Sequence, residues 1–250
     1  MSSFKVLTGK CAMITGAAKG IGAQILESFV AAGADVVACV RTPSDALQQR
    51  LDDLSQIHGV RTQMLCIDLM DERAIKQAMQ SLYSSRAQID ILVNNAGMAN
   101  GGFLTMTSME DVKSAMQVNF LAPLQITQYV AKLMMRRRHG VIINMGSIAG
   151  LDSLPGYTAY GSSKAALMQF TKVVANELAP YGIRVNAIAP GLIDTHMAEQ
   201  METKAGESMV ARSAMKRLGR PQEIADIAVF LASEQSSFIN GQIIRADGGG

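Results

Sequence analysis

Residues 11–22 read Cys11-Ala12-Met13-Ile14-Thr15-Gly16-Ala17-Ala18-Lys19-Gly20-Ile21-Gly22, an apolar strand-like run that breaks into glycines where a helical pattern begins. Glycine lets a backbone turn tightly and approach a phosphate with no Cβ in the way. The N-terminus of the following helix offers unpaired N–H groups and the positive end of its dipole to an anion. The spacing is G-x-x-x-G-x-G rather than G-x-G-x-x-G, so it fits by context and not letter for letter. A glycine cluster alone is more often a turn. One that ends a strand and opens a helix favours a dinucleotide.

Outward from this stretch, apolar strand-like runs alternate with amphipathic helical ones along the whole chain. Strands are expected near Cys11–Thr15, Asp35–Val40, Thr62–Ile67, Ile89–Val93, Val141–Met145, Arg184–Ala189 and Gln242–Arg245. Helices are expected near Gly20–Ala32, Ser44–His58, Asp71–Arg86, Ser108–Arg137, Thr158–Ala179 and Pro221–Ala232. Alternation of this kind predicts an α/β fold, a doubly wound and mostly parallel seven-stranded sheet with helices on both faces. No linker, repeat or low-complexity tract divides it, so residues 1–250 are expected to form one domain.

The chain is 48% hydrophobic and 18% charged, which indicates a large core under a modest polar skin. A net charge of +2, with no basic stripe among aromatics, gives no reason to expect nucleic acid. No apolar run has the length of a membrane span, and no signal-peptide pattern opens the chain, so a cytoplasmic protein is expected. Cys11, Cys39 and Cys66 sit in strand-like runs and read as small buried hydrophobes. His58, His139 and His196 are scattered, so no metal site is expected. The 17 methionines read as adaptable core filler.

The second strand bears on which dinucleotide. An acidic residue roughly 20 positions past the glycines would bind the ribose hydroxyls of NAD. That place holds Val40 and Arg41, and with Lys19 in the glycine loop two cations and no acid favour the 2′-phosphate of NADP. Read alone, Arg41 is also an ordinary solvated strand-end arginine. Asp68 would meet the adenine amino group or cap the next helix, and Asp71 reads as that cap. Asn94-Asn95-Ala96-Gly97 ends the fourth strand at the carboxyl edge of the sheet, where ligands bind in open α/β folds.

Tyr160-Gly161-Ser162-Ser163-Lys164 places a phenol and an ammonium four residues apart in a helical run. At helical pitch they share a face, roughly 6 Å apart along the axis. A tyrosine normally ionises near pH ~10, and a cation one turn away would lower that value. An isolated Y-x-x-x-K is more often an interfacial tyrosine beside a solvated lysine.

Taken together, the glycine stretch, Asn94-Asn95-Ala96-Gly97, Asn119, Ser147, Tyr160 with Lys164, and Pro190-Gly191 make the chain resemble the short-chain dehydrogenase/reductase family over essentially its whole length. Arg138-His139-Gly140, Asn176-Glu177-Leu178 and Arg217-Leu218-Gly219-Arg220-Pro221 are most similar to its 3-oxoacyl-[acyl carrier protein] reductase branch. The resemblance implies a Rossmann-type fold and an Asn119–Ser147–Tyr160–Lys164 tetrad. Tyr160 would give a proton to a carbonyl oxygen, and Ser147 would orient that oxygen. Lys164 would tune the phenol and hold the nicotinamide ribose, and Asn119 would anchor a relay water. The residues it places at an NADP(H) cofactor are Gly16, Lys19, Gly20, Ile21, Gly22, Arg41, Asp68, Leu69, Asn95, Ala96, Gly97, Tyr160, Lys164, Pro190, Gly191, Ile193 and Thr195.

The resemblance further implies reduction of a ketone, most of all a 3-oxoacyl thioester on acyl carrier protein or CoA, by a homotetramer. The alternatives are a sugar, polyol or other secondary-alcohol dehydrogenase, and, from another class, a non-catalytic cofactor-binding scaffold. A serine hydrolase is disfavoured because no G-x-S-x-G elbow surrounds Ser147. The run at about 192–218 suits a substrate lid. Arg136-Arg137-Arg138 reads first as cations at a helix C-terminus. Second, it reads as a docking patch for an acidic carrier, with Lys132 and Lys172 beside it. Two departures bear on substrate: Met98-Ala99-Asn100-Gly101-Gly102-Phe103 lacks the charges of many acyl-carrier reductases, and the sequence stops at Gly250, short of the usual tail.

Overall fold

A computed structural model describes residues 5–195, 210–211 and 213–250. Its strands are β1 Cys11–Thr15, β2 Asp35–Val40, β3 Thr62–Cys66, β4 Ile91–Asn94, β5 Gly140–Met145, β6 Ile183–Pro190 and β7 Ile243–Ala246. They form one sheet in the order β3-β2-β1-β4-β5-β6-β7, and every described pairing is parallel. The helices are α1 Gly20–Ala31, α2 Asp45–His58, α3 Glu72–Ser84, α4 Met109–Met116, α5 Ala122–Arg137, α6 Thr158–Leu178 and α7 Pro221–Ala232.

Alternation along the strands builds two cores. Ile14, Val36, Ala38 and Val40 point to the face covered by Ile25 and Phe29 of α1 and Leu231 of α7. Met13, Val37 and Cys39 point to the other, against Ile75 and Met79 of α3 and Ile126 and Val130 of α5. Both faces are covered, so β1 and β5 read as continuous apolar runs.

Expected and observed boundaries differ by one or two residues at most strands. The larger departure is the expected helix Ser108–Arg137. It is interrupted by one wider π turn, Gln117–Leu121, between α4 and α5. Pro123 gives the reason: it has no N–H, so the carbonyl of Asn119 loses the donor an α-helix would supply four residues on. Cys66 also departs from expectation, being exposed while Cys39 is buried. No described helix is long and apolar enough to cross a membrane.

The arginines ending α5 lie where the chain enters β5, at the amino edge of the sheet. Arg136 stacks 4.4 Å from the ring centre of Tyr83. Arg137 pairs at 2.5 Å with Asp90, whose side chain is 1% exposed. Arg138 adopts φ 51° at the helix end and donates to the carbonyl of Pro180 at 2.6 Å. Within one chain these side chains are committed to the fold, on the edge opposite Ser147. The first reading of the run, cations at a helix C-terminus, fits these contacts, and all three arginines keep exposed surface.

Asp90 also accepts from the N–H of Cys11 at 2.8 Å and from Gln88 at 3.2 Å, which ties the start of β1 to β4. Burial alone would raise its pKa, but hydrogen bonds from Cys11, Arg137 and Gln88 outweigh burial and hold it low. A depressed carboxyl stabilises the fold above its unfolded pKa, and that stability is lost as pH falls through the folded value. Arg137→Met should cost about 3 kcal/mol near neutrality by leaving that charge unpaired, and should move the acid-side loss to higher pH. Urea unfolding from about pH 7 down to about pH 3 measures both. A loss below about 1 kcal/mol would leave Arg137 as a helix-end charge only.

Candidate active site

The carboxyl edge of the sheet collects the expected residues. β1 ends in Thr15, whose hydroxyl accepts from the N–H groups of Asn95 and Ala96, both at 3.0 Å. Asn95 returns its amide to the carbonyls of Thr15 (3.0 Å) and Gly16 (3.2 Å), so the loop after β4 pins the glycine loop after β1. Gly22 is required by contact: a Cβ there would stand 2.2 Å from the Gly16 carbonyl oxygen. Asn95 thus pins the glycine loop, and Thr15 is a partner that sequence reading missed although it ends the strand.

No side chain caps the start of α1 at Lys19. By contrast Ser44 caps α2, Asp71 caps α3 and Ser108 caps α4. The open N–H groups of α1, with Gly16, Gly20 and Ile21 around them, are free to hold an anion such as a pyrophosphate. Lys19, at the start of α1, and Arg41, just past β2, are both exposed, and neither has an ion pair among the described residues. Asp68 accepts from the N–H of Met70 at 2.9 Å and so forms a local turn, while Asp71 is the helix cap. The Leu69 carbonyl is held by Gln117 at 3.0 Å.

On the far side, Pro190 ends β6 and Gly191 donates to the carbonyl of Ala246 at 3.0 Å. Ile193 is buried beside Gly219. A Cβ on Gly20 would lie 3.4 Å from the methyl of Thr195, so this segment reaches the glycine loop. Of the lid expected at 192–218, positions 196–209 and 212 lie outside the described residues, and so does His196.

Asn119, Ser147, Tyr160 and Lys164 come together between β4, β5 and α6. Lys164 is 3% exposed and donates to the carbonyl of Met145 at 2.8 Å, two residues before Ser147. Asn119 is fully buried: its Oδ1 accepts from Met98 N at 2.9 Å, and its Nδ2 donates to Met98 O and Ser163 Oγ, both at 2.9 Å. Both amide hydrogens are therefore used. A Cβ on Gly97 would lie 3.2 Å from both Asn119 Oδ1 and Lys164 Nζ, a tight fit that those two side chains would have to yield to.

The Ser147 hydroxyl lies beside the Tyr160 phenol and favours its ionised form. Ser147 Oγ accepts from Ala149 N at 3.1 Å, which fixes its orientation. Burial pushes the Tyr160 phenol above its ordinary value, Ser147 pulls it down, and Tyr157 adds an upward push. The lowering expected from Lys164 is not found. The ammonium lies 5.9 Å from the ring centre and donates to the Met145 carbonyl. Beneath the site runs a buried chain, Thr127–Asn94–Asn144–Thr171, with bonds of 3.2, 2.8 and 2.9 Å. Asn144 was not singled out from the sequence, although an amide inside the apolar run Val141–Met145 was a signal. The Oδ1 of Asn94 is the one buried side-chain nitrogen or oxygen without a hydrogen-bond partner among the described residues.

A family model described as enoyl-(acyl carrier protein) reductase matches residues 16–250. A 3-oxoacyl-[acyl-carrier-protein] reductase of Thermotoga maritima is 38% identical over 246 residues, 97% of this chain and 98% of that protein. A solved structure described as a 3-oxoacyl-[acyl-carrier protein] reductase from Brucella melitensis has a TM-score of 0.90 and 31% identity, covering 99% of this chain and 93% of its own. Another, described as an NAD(P)-dependent gluconate 5-dehydrogenase from Beutenbergia cavernae with NADP bound at low occupancy, has a TM-score of 0.91 and 29% identity over 98% of each chain.

Burial pushes Lys164 down to about 8. A lysine depressed in the fold adds stability above its unfolded pKa of ~10.4, and this contribution is lost as pH falls through its folded value. Wild type should therefore gain on Lys164→Met, by on the order of 3 kcal/mol, as pH rises from about 8 to about 10.5. Urea unfolding of both proteins across that window is the check. Parallel curves would mean the ammonium is solvated.

Proposed function

The chain belongs to the short-chain dehydrogenase/reductase family, and from that premise we propose that it uses NADP(H) to reduce the ketone of a 3-oxoacyl thioester to a secondary alcohol. The observation that carries this reading is the Ser147–Tyr160 hydroxyl pair, one helical turn from a buried ammonium and on the same sheet edge as the uncapped α1. A scaffold would need the open helix end but not the hydroxyl pair.

NADPH, when bound, supplies a hydride to the carbonyl carbon. The open N–H groups of α1 would hold its pyrophosphate, and Lys19 and Arg41 its 2′-phosphate. Ser147 donates to the carbonyl oxygen and fixes its direction, a stabilisation aimed at charge as it develops. Tyr160 gives its proton to the same oxygen and becomes phenolate. Lys164, one turn along α6, would hold the nicotinamide ribose, and a water on the Asn119 carbonyl would carry the replacement proton. A phenol whose pKa is raised in the free chain is protonated at neutral pH, the state a proton donor needs.

The small cavity next to Ser147 is lined by Ile148, Leu154 and Leu192 together with Asp152, Arg217, Arg245 and Asp247, so it has an apolar and a charged side. The second reading, a polyol or sugar-acid dehydrogenase, is favoured by the fold shared with the Beutenbergia protein.

A panel of acetoacetyl and crotonyl thioesters, simple ketones and 5-ketogluconate, followed by NADPH oxidation, separates these readings. Turnover confined to the oxoacyl thioester is expected, and preference for the sugar acid would install the second reading. Tyr160→Phe should lower kcat by about 100-fold or more while NADPH still binds, and undiminished turnover would remove the acid role. Arg41→Asp should shift the kcat/KM ratio toward NADH by about tenfold or more, and an unchanged ratio would refute the phosphate assignment.

A further inference from the structure

Arg245, in β7, reaches across the sheet edge to the segment between Ser147 and Tyr160. Its two terminal nitrogens donate to Oδ1 and Oδ2 of Asp152, each at 2.8 Å, a bidentate pair. Its Nε is paired with Asp247, and one terminal nitrogen also donates to the carbonyl of Gly250 at 2.6 Å. The side chains are largely covered: 33% exposed for Arg245, 22% for Asp152 and 7% for Asp247.

Each end of this bridge is anchored in a different wall of the cleft. Asp152 donates its N–H to the Ile148 carbonyl at 2.8 Å, which closes the turn just after Ser147. That segment continues through Gly156, whose carbonyl accepts from Gly102 at 2.8 Å, to Tyr160. On the other wall, β7 pairs Arg245 with Ala189 of β6, next to Pro190 and Gly191. Ser213 donates to the Asp247 carbonyl at 3.1 Å, so the far end of the 192–218 excursion is tied to the same strand end. A cavity lies between the walls, with the Arg245–Asp152 pair among its lining beside Ile148, Leu154 and Leu192.

We infer that the Arg245–Asp152 pair is a strap across the substrate cleft that positions the Ser147–Tyr160 segment and sets the width available to the group beside the carbonyl. Neither residue touches the reacting atoms, so both are positioning residues. A planar fork on a carboxylate fixes direction as well as distance, which a lysine cannot copy. Releasing Asp152 would let the Ile148–Gly156 turn move outward and would leave Asp247, nearly buried, with a guanidinium freed from its second carboxylate.

The inference rests on the reductase reading for its kinetic test but not for its structural one. Arg245→Met, Arg245→Lys and Asp152→Asn would be compared with wild type using acetoacetyl and 3-oxododecanoyl thioesters. NADPH affinity would be read by fluorescence and exchange over 148–157 by hydrogen–deuterium mass spectrometry. Arg245→Met and Asp152→Asn should raise KM for the short thioester by about tenfold and shift the long-to-short kcat/KM ratio by about fivefold, with NADPH affinity changed less than about twofold. Arg245→Lys should fall between, and all three should speed exchange over 148–157. If wild type reduces no thioester, the reductase reading fails while the exchange result still decides the strap. Unchanged exchange over 148–157 in folded Arg245→Met and Asp152→Asn would overturn it. So would faster exchange with KM and chain-length ratio both within about twofold of an active wild type.

Discussion

The burial of one ammonium governs the cleft. Lys164 carries a charge into a place with almost no water, where an unpaired cation is costly. It is tolerated because the Met145 carbonyl, at the last residue of β5, is aimed at it. That bond, with the one from Asn144 to Thr171, fastens α6 to β5 and so sets Tyr160, one turn earlier on α6, against Ser147, two residues past Met145. Asn119 and Gly97 complete the enclosure, the first by fixing the loop after β4 and the second by having no side chain to fill the space.

A parallel sheet supplies the rest. Because all described strands run one way, the loops after β1, β2, β4, β5 and β6 emerge on one edge, and residues far apart in sequence meet there. The open start of α1 and the Ser147–Tyr160 pair end up on that shared edge. The opposite edge has another job. There Asp90 and Arg137 hold the starts of β1 and β4 together.

Much of this was legible from residues alone, because strand and helix periods are local properties and the glycine, asparagine and tyrosine motifs fall at strand ends. β1, β2 and α7 were read to the residue. What escaped depended on partners distant in sequence. The role of Asn95 as a pin for the glycine loop needs Thr15 at the end of another strand. The π turn was in principle readable from Pro123, four residues after Asn119, but helical periodicity ran through it and hid it. The direction of the Tyr160 shift was misjudged because spacing gives proximity along a helix and says nothing of burial. The arginine run at 136–138 looked like a surface feature until Asp90, 47 residues away from Arg137, proved to be buried beneath it.

The central claim is that a proton from Tyr160 and a hydride reach one carbonyl in the same step. Isotope effects on kcat/KM test it most directly, measured with 4-deuterated and ordinary NADPH, each in water and in deuterium oxide. The account predicts an effect from each label and a solvent effect that stays the same size when the hydride is replaced by deuteride. A solvent effect that shrinks with the deuterated cofactor would place the two transfers in separate steps and contradict it.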